Sequence, residues 1–63
     1  MDEIEVYRAA KLLIDQYGAD APIHAAKQVD AMRRRGDLKG AAVWKRIVWA
    51  IADLEKTKGQ TRH

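Results

Sequence analysis

Apolar residues recur every three or four positions along this chain, in three stretches broken at Gly18 and Gly36. That period is the signature of amphipathic α-helices. In the first stretch, Val6, Tyr7, Ala10, Leu13, Ile14 and Tyr17 fall on one face. In the second, the inward face runs through Pro22, Ile23, Ala25, Ala26 and Val29, with Met32 at its edge. This face is narrow and rich in alanine, so a neighbouring backbone can come close. The third stretch has the widest apolar arc: Ala41, Trp44, Ile47, Val48, Ile51, Ala52 and Leu54, with Val43 and Ala50 alongside. A helix with that much apolar surface is expected to touch both of the others and act as the spine of the fold.

The breaks carry stop-and-start chemistry. Glycine supplies the left-handed residue that ends a helix, and Asp20 and Asp37 follow as N-caps for the next one. Pro22 sits in a first turn, where its missing N–H costs nothing. Asp2 and Glu5 have the spacing of a capping box. These signals predict helices over 3–17, 21–35 and 38–56. The expected architecture is an all-α, small three-helix bundle formed by residues 1–56, followed by a flexible polar tail over 57–63.

Size sharpens this picture. A chain of 63 residues buries only about 60% of the surface its unfolded form exposes. With no cysteine, neither a disulfide nor a Cys-based zinc site can staple it. Tight helix packing or self-association must stabilise it instead. No apolar run approaches the roughly 20 residues that cross a bilayer, and Met1-Asp2-Glu3 lacks the basic opening of a signal peptide. A cytoplasmic setting without membrane contact is expected.

The inventory of reactive groups is poor. There is no serine, and the threonines Thr57 and Thr61 both lie in the tail. An activated nucleophile needs a base held rigidly beside it, so no enzyme activity is expected. Asp20, His24 and Gln28 share a helical face, but a stable zinc site wants three or four ligands. The other histidine is the terminal His63. The expectation is that Asp20 caps its helix with His24 solvated beside it, and that no metal, cofactor or small-molecule substrate is bound.

Surfaces remain as the carriers of function. Trp49 lies about 140° around the third helix from Trp44, among Lys45, Arg46, Asp53 and Lys56, with Leu38 and Ala42 as its apolar companions. A tryptophan on a charged face reads either as an interface residue, because tryptophan is enriched at binding hot spots, or as one that the tail or the first helix folds over. Leu12 is similarly placed opposite the core face of the first helix. A second candidate surface is basic: Arg33, Arg34 and Arg35, with Lys39, Lys45 and Arg46 beyond the turn. It reads either as a phosphate-contacting patch or as cations answering the negative end of a helix dipole. The formal charge of +3 permits a weak attraction for nucleic acid without requiring one. A helix-turn-helix DNA reader fits badly, because a turn at Gly36 would place Arg35, Asp37 and Lys45 at inward positions.

Two resemblances bear on these expectations. Ala25-Ala26, Arg35-Gly36-Asp37-Leu38, Gly40-Ala41-Ala42 and Trp44 together resemble one helical hairpin of the tetratricopeptide kind, in which small residues let paired helices approach around a Gly-Asp turn. The chain is also similar to a family of short, mostly alphaproteobacterial proteins of unknown function. That similarity lies in Ala10-Lys11-Leu12-Leu13-Ile14 to Tyr17-Gly18, in Ala21-Pro22-Ile23-His24-Ala25-Ala26, and in Gly36-Asp37 with Ala42-Val43-Trp44-Lys45-Arg46-Ile47. It implies a bacterial cytoplasmic setting and no particular activity. The expected function is a small interaction module that binds a protein partner or itself as a homodimer through Trp49, Leu38, Ala42 and Leu12. The alternative is a nucleic-acid-associated protein using the basic patch.

Overall fold

The Gly36-Asp37 pair folds as its chemistry dictates. In the computed structural model, which describes residues 2–60 (the last four by their backbone alone), Gly36 has φ 76°. Its N–H donates to the Arg33 carbonyl at 3.0 Å, and the Asp37 N–H donates to the Met32 carbonyl at 2.8 Å. This pair of bonds is a Schellman motif, which satisfies the last carbonyls of a helix. Asp37 then turns outward partner into starter: its Oδ1 accepts the Gly40 N–H at 2.9 Å, and its carbonyl accepts the Ala41 N–H at 3.0 Å. A side chain in place of Gly40 would press on the capping carboxylate. A Cβ at that position would lie 2.7 Å from Asp37 Oδ2 and 3.0 Å from Met32 Sδ.

Among the described residues the elements are all helical: α1 (Glu3–Tyr17), a 3-10 turn (Gly18–Asp20), α2 (Ala21–Arg34) and α3 (Leu38–Gln60). The fold is all-α. The first three elements follow one another without a gap, so the chain forms two helical runs joined at the Gly36 turn. Gly18 ends α1 with φ 57°, and its N–H bonds the Ile14 carbonyl. The chain does not open into a loop there. It tightens into the 3-10 turn and re-enters a helix.

That continuity changes the caps. Asp20 adopts helical angles, φ −86° and ψ −3°, and its side chain makes no capping bond. A side-chain cap needs extended backbone at that residue, and here the preceding turn already offers carbonyls, with the Ala21 N–H bonded to Gly18. Asp2 is extended, and its carbonyl accepts the Val6 N–H at 3.1 Å. Its side chain makes no capping bond either. Helix α3 continues to Gln60, past the expected end at Lys56. Nothing between Thr57 and Gln60 forbids it, because Gly59 costs only about 1 kcal/mol relative to alanine. The rest of the expected tail, 61–63, lies outside the described residues.

α3 packs against both other helices, and α1 touches α2 far less. The buried set is Val6 and Ala10 on α1, Ala21 and Ala25 on α2, and Ala41, Ile47, Ala50 and Ile51 on α3. Ile51 is the one large side chain excluded completely from solvent among the described residues. Tyr7, Leu13, Ile14, Val43, Trp44, Val48 and Leu54 pack around this nucleus, half-buried. The alanines contribute little each, at about 0.8 kcal/mol per buried methylene-sized group. Their value is the close approach of backbones that they permit.

The inward line of α2 runs through Ala21, Ala25, Val29 and Met32 rather than through Ile23 and Ala26, both of which are exposed. The helix is turned by about one residue from the expected rotation, because two alanines four apart allow a closer fit to α3 than a β-branched residue does. Tyr17 is also exposed rather than core. Its ring stacks on His24 with centroids 3.7 Å apart and 22° between planes, so His24 is half-buried on a tyrosine face instead of solvated beside Asp20. The 3-10 turn brings these two rings together. Ala52, expected on the apolar arc, is exposed as well.

No atom lies within 4 Å of a Cβ built on Gly36, so the cost of a substitution there is purely one of backbone angle. Gly36→Val is expected to lower stability by about 1–2 kcal/mol, and Gly36→Asn by less, since asparagine tolerates the left-handed region. Urea denaturation of the three proteins measures this. Equal midpoints for Val and Gly would contradict it.

Candidate interaction groove

Glu3, Val6 and Tyr7 lie on one side of α1, within little more than one turn. They face Arg46, Trp49, Ala50 and Asp53, which repeat at helical spacing on α3. Val6 and Ala50 are buried at the floor, so the two helices meet there and their outer residues form walls. The space between the walls is a hollow of about 550 Å³. On the other side of Tyr7 a second hollow of about 500 Å³ is lined by Glu3, Ile4, Arg8 and Lys11 of α1 and by Leu54 of α3. Glu3 and Tyr7 belong to both.

Tyr7 holds the walls together. Its hydroxyl donates to Asp53 Oδ2 at 2.8 Å across 46 positions of sequence. The hydrogen bond to Asp53 raises the Tyr7 pKa above its ordinary value, aided by desolvation and by the negative charges of Asp53 and Glu3. Ionising this phenol would remove the donor and set an anion against a carboxylate.

Two large apolar side chains of the hollows stand in solvent. Trp49 is 72% exposed and Ile4 69%. A tryptophan this exposed leaves a large apolar area uncovered.

The structure gathers only some of the residues singled out by sequence. Trp49 and Arg46 share the groove. Leu38 and Ala42 are exposed and continue the outer stripe of α3 toward the Gly36 turn, at intervals of three or four residues. Leu12 is exposed on α1 but lines neither hollow. The basic residues divide. Arg33 and Arg34 occupy the last turn of α2, where they answer the helix dipole, with Arg35 at its cap. Lys39 and Arg46 lie seven apart and so share a line on α3, about 10 Å apart along the axis, with Lys45 about 100° around from Arg46.

Ile4, Glu3 and the Tyr7–Asp53 bond were not foreseen. Ile4 lies off the apolar line of α1, and nothing in the local pattern separates it from an incidental surface residue. The Tyr7–Asp53 pair has no local signal at all. The described residues contain no group of three or more His, Cys, Asp or Glu placed to hold a metal ion, and no helix long and apolar enough to cross a membrane. Comparison with protein-family models, curated proteins and solved structures found no match, which leaves both resemblances resting on the residues quoted for them.

The raised Tyr7 pKa has a definite sign. The folded state holds this proton more tightly than the unfolded chain, so the contribution is complete below about pH 10 and is lost as pH rises through the folded value. Tyr7 ring resonances should therefore titrate at higher pH in the native protein than in urea, and the loss of stability above pH 10 should be smaller in Tyr7→Phe. Identical native and unfolded titrations would contradict the bond.

Proposed function

We propose that this protein is a small helical interaction module, a three-helix bundle of the bacterial cytoplasm that binds a protein surface in the groove between α1 and α3. The observation that carries this reading is the exposure of Trp49 at the rim of a hollow whose floor is the hydrophobic core itself. A side chain of this kind costs solubility when left in water and contributes heavily when covered, which is the behaviour of a binding hot spot. Its surroundings mix apolar and charged groups as interfaces do: Trp49 and Tyr7 with Glu3 and Arg46 in one hollow, and Ile4 and Leu54 with Arg8 and Lys11 in the other.

Binding rather than catalysis also suits the chemistry of the groove. Its polar groups are a tyrosine bonded to a carboxylate and solvated surface charges. None forms the nucleophile-and-base pair that covalent catalysis needs.

The test is affinity capture from the native cell extract with wild-type protein, Trp49→Glu and Leu12→Glu, read by mass spectrometry and repeated at high salt. Wild type and Leu12→Glu should retain the same protein, and Trp49→Glu should lose it. Capture that persists in Trp49→Glu would contradict the reading. Capture of nucleic acid that collapses steeply with salt would favour the basic patch instead.

A further inference from the structure

We infer that the partner seated in this groove is a second copy of the same chain, paired about a two-fold axis running along the groove between α1 and α3. The inference rests on the groove's being the binding surface and adds the identity of its occupant.

The first argument is uncovered apolar surface. Trp49 stands 72% exposed on the outer face of α3, and Leu38 and Ala42 are exposed along the same stripe. Neighbouring exposed apolar side chains mark an interaction surface, and pairing two copies face to face covers the tryptophan of both.

The second argument is charge. A two-fold axis lying in the interface along the groove carries the α1 wall of one copy onto the α3 wall of the other. Glu3 stands on the α1 wall and Arg46 on the α3 wall of the same hollow. Both are exposed. The operation therefore sets Glu3 of each copy against Arg46 of its mate, with opposite signs meeting twice. It also lays each Trp49 over the mate's α1 wall, where Tyr7 presents its ring. A patch holding one anion and one cation on opposite walls, with an uncovered tryptophan beside them, is complementary to itself.

Sedimentation equilibrium across the micromolar range provides the test. Wild type should pass from monomer to dimer, and Trp49→Glu should weaken that step on the order of tenfold or more, with helicity by circular dichroism unchanged because the residue is a surface one. Glu3→Arg and Arg46→Glu should each weaken dimerisation several-fold by setting like charges together. An equimolar mixture of the two single variants should restore it, since both contacts in the mixed dimer are again of opposite sign. The double variant should dimerise with itself. A dimer untouched by Trp49→Glu, or single variants that mixing fails to rescue, would overturn the arrangement. A wild type that stays monomeric at high micromolar concentration would overturn self-pairing. The groove reading would then survive only if Trp49→Glu still abolished capture of a different protein.

Discussion

The close packing of α3 against alanine-lined surfaces is the constraint from which the rest of the structure follows. Ile47, Ala50 and Ile51 face Ala21 and Ala25 of α2 and Val6 and Ala10 of α1. Small side chains on two of the three helices let the backbones approach closely, and one isoleucine then fills the space at the centre. Such a core is dense but small. Its large apolar groups are few, and several others, Trp49 and Ile4 among them, end on the outside. The exposed Trp49 and Ile4 are consequences of this economy of core, since helices that are already in contact through alanine leave no interior space for them.

The same contact positions the groove. Val6 and Ala50 bring α1 and α3 together at its floor, and residues one turn away on each helix become the walls. The Tyr7–Asp53 bond fixes their separation at the rim, where a charge-assisted hydrogen bond is stronger than a neutral one. At the opposite end of α3, the Schellman turn and the Asp37 cap fix where the helix begins. The register of α3, and so the height at which Trp49 and Arg46 meet Glu3, depends on that beginning.

Local chemistry made much of this legible in sequence. The Gly36-Asp37 turn follows from the residues alone, because left-handed glycine and an aspartate cap act within four positions of themselves. The role of α3 as spine follows from the breadth of its apolar arc, and the place of Trp49 off that arc from helical spacing, although spacing alone left open whether another segment covers it. What was not legible depends on distant partners. The rotation of α2, which buries Ala21 and leaves Ile23 outside, is decided by the surface it meets and not by its own pattern. Asp20 looked like a cap because it follows a glycine, yet the 3-10 turn holds its backbone at helical angles, and its side chain makes no capping bond. Tyr7 and Asp53 are 46 positions apart, and only the approach of α1 to α3 makes them a pair.

The account divides α3 into an inner face that holds the fold and an outer face that remains available for binding. Denaturation of Ile51→Ala and Trp49→Ala, each compared with wild type at concentrations low enough to keep all three monomeric, tests that division most directly. Ile51→Ala should lose about 2–5 kcal/mol, the cost of a cavity in a fully buried site. Trp49→Ala should change stability by no more than about 0.5 kcal/mol, as surface substitutions do. A Trp49→Ala protein destabilised as much as Ile51→Ala would contradict the account, because the tryptophan would then belong to the core of the monomer.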